Sequence, residues 1–130
     1  MKTTASAACP CGGKDYAACC GRYIDDGELP QTAEQLMRSR YTAYTRRDEA
    51  YLKHTWHPET RPAEDLTQDD GGKWLGLEVR RHEQDGDSAI VEFVARYKVG
   101  GRAHRMHEVS RFRREGGKWF YVDGSFPEGR

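Results

Sequence analysis

An α+β fold, with helices packed on a curved antiparallel sheet, is what this chain of 130 residues predicts. Apolar residues recur at helical spacing from about residue 33 to residue 47, then switch to strand alternation after residue 72. The alternating runs are separated by the short glycine-bearing connectors QDGD, VGGR and EGGK, which supply the positive-φ residues that tight hairpins need. A third observation sets the N-terminus apart. All four cysteines fall between Cys9 and Cys20, in the stretch CPCGGKDYAACCG.

The cysteines are spaced C-x-C, seven residues, then C-C. Gly12, Gly13 and Gly21 permit tight turns around them, and Pro10 stiffens the first pair. Four thiolates so arranged suit a closed, tetrahedral structural zinc site. A Cys9–Cys11 or Cys19–Cys20 disulfide would close a very small, strained ring. No C-x-x-C redox motif is present, and adjacent Cys19 and Cys20 are awkward ligands for two irons of a cluster. Zinc is the expected occupant; disulfide and free-thiol states are the alternatives.

The stretch resembles the SEC-C zinc motif, named for the extreme C-terminus of the SecA translocase ATPase. Its pattern reads C-P-C-G-S-G-K-x-Y-x-x-C, then His or Cys, then Gly. The resemblance puts Cys9, Cys11, Cys19 and Cys20 at the four ligand positions of one structural zinc ion. Lys14 and Tyr16 fall on the pattern's Lys and Tyr, and the loop from Cys11 to Cys19 is one residue shorter than the pattern's. It further implies a protein partner docking through the knuckle, as SEC-C elements serve recognition. The expected organisation is a knuckle over 1–24, a linker over 25–31 with Gly27 and Pro30 as breakers, and a cone-shaped domain of helices on the curved sheet over 32–130.

Thr32 and Gln35 form a capping box that starts the first long helix. Ala33, Leu36, Met37, Tyr41 and Tyr44 make its apolar stripe, and Arg38, Arg40, Arg46 and Arg47 are expected mostly on its solvated side. Asp48 caps a second, short helix bearing Tyr51, Leu52, Thr55 and Trp56, which Pro58 ends. Residues 57–72 read as a polar loop ending in QDDGG. Four strands follow: KWLGLEVRRHEQ, DSAIVEFVARYKV, GRAHRMHEVSRFRRE and GKWFYVDG. In the first, Trp74, Gly76 and Glu78 alternate against Leu75, Leu77 and Val79. In the second, Ala89, Val91, Phe93, Ala95 and Tyr97 form the inner face.

From about Leu36 to Asp123 the segments LMRSRYTAY, YLKHTWHP, KWLGLEV, VEFVARY and SRFRREGGKWFYVDG are similar to the YchJ-like family of uncharacterised bacterial proteins. That resemblance implies a nuclear transport factor 2-like (cystatin-like) cone carrying a SEC-C knuckle. It implies no established activity.

Three groups are candidate catalytic residues. Glu108 lies on one strand face with Met106, Ser110 and Phe112, so an inward Met106 and Phe112 bring a carboxylate into the interior. A buried carboxylate must find a partner or stay protonated. Asp123 is expected on the face of Trp119 and Tyr121, and His57 follows His54 by three residues at a helix end. Arg38, Tyr41, Trp56, Glu108 and Ser110 are the expected lining of a small-ligand pocket in the cone. Each has a structural counterpart: an ion pair, a helix-end histidine, an aromatic core.

Charge is balanced, with 21 basic and 21 acidic residues. Neutrality argues against a dedicated nucleic-acid binder, although Arg105, His107, Arg111 and Arg113 share a strand face opposite Glu108. Cross-strand acids such as Glu78 and Glu92 would neutralise that face. No apolar run approaches the roughly 20 residues of a membrane span, and MKTTASAAC is too short and polar for a secretory leader. A soluble cytoplasmic protein is expected, where clustered thiols favour metal over disulfide. The expected function is a zinc-binding, non-enzymatic module for a protein or small ligand. Its alternatives are an isomerase, hydrolase or dehydratase using a pocket carboxylate, and an RNA or ribosome binder using the arginine-rich face.

Overall fold

The computed structural model describes residues 8–64, 66 and 72–127. A 3-10 turn at Tyr16–Ala18 leads into the short helix α1 (Gly21–Ile24), followed by α2 (Ala33–Thr45) and α3 (Glu49–His54). Strands β1 (Lys73–Asp85), β2 (Ser88–Val99), β3 (Arg102–Glu115) and β4 (Lys118–Ser125) form one antiparallel sheet in sequence order. The QDDGG reading, apart from Gly72, lies outside the described residues.

The helix ends follow from their caps. Thr32 Oγ1 accepts from the Gln35 N–H at 3.1 Å, while Gln35 Oε1 accepts from the Gln31 N–H at 2.6 Å. Asp48 Oδ1 likewise accepts from the Tyr51 N–H at 3.1 Å and starts α3. Two hairpins turn on paired glycines in the left-handed region, Gly100–Gly101 (φ 59° and 78°) and Gly116–Gly117 (φ 59° and 82°).

Single-residue irregularities in the strands decide what faces inward. Register shifts between Trp74 and Gly76 and between Val79 and Arg81 put Trp74, Leu77, Val79 and His82 opposite Tyr97, Ala95, Phe93 and Val91. The simple alternation expected for β1 is thereby corrected: Trp74 shares a face with Leu77 and Val79, and Leu75 is left exposed. A third shift lies on β4, where Phe112 pairs with Tyr121 but Arg111 pairs with Asp123. Val122 is the extra residue. Trp119 and Tyr121 therefore face inward, while Asp123 is turned to the outer face, contrary to the expected shared face.

The inner face of the sheet packs on α2 through Leu36, Met37, Tyr41, Val91, Phe93, Phe112 and Trp119. Cys9, Cys11 and Cys20 belong to this same core. The knuckle is thus built into the domain's hydrophobic interior. On the far edge, the segment after α3 pairs with β4: the His57 N–H donates to the Tyr121 carbonyl at 2.8 Å and the Tyr121 N–H to the Thr55 carbonyl at 2.9 Å. That pairing covers the β4 edge, which would otherwise be open to another chain.

Candidate functional site

The knuckle loop is closed by backbone bonds from the Cys9 N–H to the Gly13 carbonyl (3.0 Å) and from the Gly12 N–H to the Cys9 carbonyl (2.9 Å). A Cβ at Gly13 would lie 2.8 Å from Cys19 Sγ, and one at Gly21 would lie 2.9 Å from the Tyr16 ring and carbonyl. Both positions therefore require glycine for close approach. The result gathers all four cysteine Sγ atoms within 4.8 Å of one another, with Cys11 and Cys19 at 3.6 Å. A tetrahedral Zn–S shell of about 2.3 Å bonds places its sulfurs roughly 3.8 Å apart, so this donor set fits the ion. Cys9, Cys11 and Cys20 are buried and Cys19 is partly exposed.

Thiol ionisation is uneven. Hydrogen bonding from Cys20, reinforced by Gly13, Cys19 and Cys9, holds Cys11 down at about 5 against the cost of its burial. Burial, and then hydrogen bonding to Cys11, push Cys19 up to about 11; hydrogen bonding to Cys11 and burial push Cys20 upward. A site with one thiolate solvated by neighbouring thiols is a site that a divalent cation completes by displacing protons.

The second polar cluster centres on Glu108, which is 7% exposed. Its Oε2 accepts from Tyr121 Oη at 2.8 Å and from Ser110 Oγ at 2.8 Å. Facing it is Arg40 of α2, 3% exposed, which donates to the Leu52 carbonyl (2.9 Å) and Thr55 Oγ1 (2.7 Å). Its guanidinium lies over the rings of Tyr121 (4.6 Å to centroid) and Trp56 (5.2 Å). Burial pulls the Arg40 pKa down. Burial and then the Glu108 carboxylate raise that of Tyr121, so its hydroxyl stays a donor.

The sequence-predicted site residues divide between places. Glu108 and Ser110 meet in this cluster, and Trp56 borders it by stacking edge-on against Tyr121 at 4.7 Å. Arg38 does not join them; it bonds Glu34 and the Cys11 carbonyl beside the knuckle. Tyr41 packs against Trp74 of β1 at 5.6 Å. His57 is buried behind the edge pairing, its Nδ1 accepting from the Glu59 N–H (3.1 Å) and its Nε2 donating to Glu115 (2.9 Å). Arg40, placed by its charge on the solvated side, is instead interior. It stands four residues from both Leu36 and Tyr44, so the helical stripe itself carried that signal. A surface depression of about 380 Å³ lies elsewhere, by the β1–β2 hairpin, lined by Glu83, Ser88, Ile90, Arg111, Arg113 and Val122 among others.

Gly124 stands opposite Ser110 and against Glu108. A Cβ there would overlap the Glu108 carboxylate, meeting its Cδ at 2.7 Å and Cγ at 2.9 Å. Gly124→Ala is expected to displace Glu108 from its two hydroxyl donors and cost about 1–3 kcal/mol, read by urea denaturation.

On the outer face, several basic residues have acidic partners. His107 pairs with Glu92 at 2.7 Å, Arg81 with Glu92 at 3.0 Å, and Arg113 with Glu115 at 3.1 Å. Arg111 holds Asp123 with two bonds, one of 2.6 Å from Nε, and keeps its carboxyl below the usual range. A carboxyl depressed in the folded state stabilises the fold above its unfolded value of about 3.9. That contribution is lost as pH falls through the folded pKa. An NMR titration should show Asp123 ionising below ordinary aspartate, with Arg111→Ala moving its midpoint back up.

Helices on one face of a bulged antiparallel sheet, with a four-cysteine knuckle fused to the core, define an NTF2-like protein with a SEC-C motif. The family model "YchJ, middle NTF2-like domain" matches residues 32–124. The chain belongs to this YchJ-like family, whose curated members carry the designation UPF0225. A UPF0225 protein of Ralstonia nicotianae is 54% identical, with 92% of this chain and 91% of that protein covered. One from Chromobacterium violaceum is 56% identical, covering 95% and 96%. The solution structure of a SEC-C motif containing protein from Rhodopseudomonas palustris superposes with a TM-score of 0.80 at 36% identity, covering 92% of this chain and 98% of that one. An LEH-like epoxide hydrolase of M. tuberculosis, at TM-score 0.50 and 13% identity over 78% and 84%, shares the fold alone. The four-cysteine cluster is compatible with zinc. No helix among the described residues is long and apolar enough to cross a membrane.

Proposed function

We propose that the chain is a zinc-binding protein-interaction module without catalytic activity, working in the cytoplasm. One structural zinc ion on Cys9, Cys11, Cys19 and Cys20 makes the knuckle rigid, and the knuckle's outer surface receives a protein partner. The convergence of four Sγ atoms within 4.8 Å carries this reading. Around them Pro10, Gly12, Lys14, Ala17 and Ala18 remain exposed as the surface on offer. The non-enzymatic part is supported by the partners of the three candidate groups: Glu108 holds two structural hydroxyls, Asp123 a guanidinium, His57 a carboxylate. Arg81, Arg111 and Arg113 on the outer face are already paired with carboxylates, which leaves these three little counterion release to contribute to RNA binding.

Native mass spectrometry of chain purified without chelator tests the zinc. One zinc per chain, lost on denaturation and absent from Cys11→Ser, is the expected result. A natively folded, metal-free chain with four alkylatable thiols overturns the reading.

A second reading, a small-molecule enzyme, draws on the burial of Glu108 beside the interior cation Arg40. On that reading Glu108→Gln abolishes binding of a small ligand and leaves stability largely intact. On the module reading the same change acts mainly on stability.

A further inference from the structure

Helix α2 presents a line of three polar residues, Glu34, Arg38 and Thr42, at successive intervals of four, which places them on one helical face. That face meets the knuckle. Arg38 Nη1 donates to the carbonyl of Cys11 at 3.0 Å, while its Nε donates to Glu34 Oε2 at 3.0 Å. Glu34 reaches on toward β1, with Oε1 3.8 Å from His82 Nδ1. One turn further along α2, Thr42 Oγ1 lies 3.6 Å from Cys9 Sγ, and Thr42 is fully buried. Arg38 and Thr42 both lie outside the cysteine-rich stretch.

Four thiolates around a divalent cation carry a net charge of −2, and their lone pairs still seek donors. Groups that hydrogen-bond ligand atoms or fix ligand backbones commonly change metal affinity by about 10–100-fold. Arg38 supplies both a nearby cation and a clamp on the backbone of Cys11. Once Cys9 is a metal-bound thiolate it has no proton to give, so in this pair the Thr42 hydroxyl is the donor. Glu34 fixes the Arg38 guanidinium, since its carboxylate takes the Nε–H and leaves Nη1 aimed at the knuckle.

We propose that α2 is the outer shell of the metal site, with Arg38 and Thr42 as positioning residues that hold Cys11 and Cys9 and so slow the release of zinc. This rests on the zinc reading above. The cone domain thereby sets how long the knuckle keeps its ion, and the metal is retained by the whole fold rather than by the cysteine-rich stretch alone. Glu34 and His82 extend the connection to the first strand of the sheet.

The test is zinc transfer from the loaded full-length chain to excess 4-(2-pyridylazo)resorcinol, followed by absorbance. Arg38→Met is expected to speed release roughly 10-fold or more, and Thr42→Val several-fold. Arg38→Lys keeps the charge but not the two-way fork, and should fall between Arg38→Met and wild type. Arg80→Met, on the exposed sheet face and paired with Glu78, should release zinc at the wild-type rate. Melting of the metal-free variants separates the roles. A residue that only supports the fold lowers that temperature without changing release from the folded, loaded chain. Should Arg38→Met fail to fold, Arg38→Lys and Thr42→Val carry the comparison. Wild-type release rates from loaded Arg38→Met, Arg38→Lys and Thr42→Val chains overturn this inference alone. A wild-type chain that holds no zinc overturns the proposed function and this inference together.

Discussion

Stripping the metal with a chelator should lower the melting temperature of the whole domain by roughly 12–20 °C. The magnitude follows from mass action: an ion present at about 1,000 times its dissociation constant contributes about 4 kcal/mol. For a domain of this size each kcal/mol moves the midpoint by roughly 3–5 °C. The loss should reach the whole fold because Cys9, Cys11 and Cys20 sit in one core cluster with Leu36, Met37, Phe93 and Trp119. Arg38 and Thr42 tie the loop to α2 in addition. Removing the cation leaves crowded thiols in that core with nothing to bind them together. Calorimetry with and without chelator measures the shift, and alkylation of the four ligand thiols, blocked in the loaded chain, should appear once the metal is removed. A knuckle that frays while the cone melts at an unchanged temperature would show that the two fold separately, contrary to the packing.

The elements were legible because their determinants are local. Thr32 with Gln35, Asp48, and the glycine pairs 100–101 and 116–117 act within a few residues of the boundary they set. The cysteine cluster was legible for the same reason. What escaped the sequence depends on one-residue insertions in strands. Leu75, Arg80 and Val122 bear no mark of an irregular position, yet each reverses the facing of everything beyond it. That is how Asp123 left the interior and Gly124 came to lie against Glu108. Arg40 escaped for a different reason. Charge argued for solvent, spacing argued for the core, and the two ring faces and two oxygen acceptors that make burial tolerable come from α3, the segment after it and β4. No local pattern announces such partners. The expected pocket lining divides likewise: Arg38 and Tyr41 reach from α2 toward the knuckle and β1, while Glu108, Ser110 and Trp56 share a neighbourhood.

Arg40→Met should destabilise the chain by about 3–5 kcal/mol, the cost of removing one member of a buried charged set. The cation is 3% exposed and Glu108 is 7% exposed, with Tyr121 between them: its ring lies under the guanidinium and its hydroxyl on the carboxylate. Without Arg40 the carboxylate loses its interior counter-charge, and the Leu52 carbonyl loses a charged donor. Glu108→Gln alone should cost less, about 1–3 kcal/mol, since an amide oxygen still accepts from Ser110 and Tyr121. The two changes together should cost clearly less than their sum, because the double variant buries no unpaired charge. Neighbours in one network commonly couple by about 0.5–3 kcal/mol. Urea denaturation of the four proteins closes the cycle at constant metal loading. Additive costs would mean that Arg40 and Glu108 do not sense each other through Tyr121. Coupling with retained knuckle zinc would make the cluster the internal brace of the cone, holding α2, α3 and β4 together at the end of the domain where the expected chemistry had been sought.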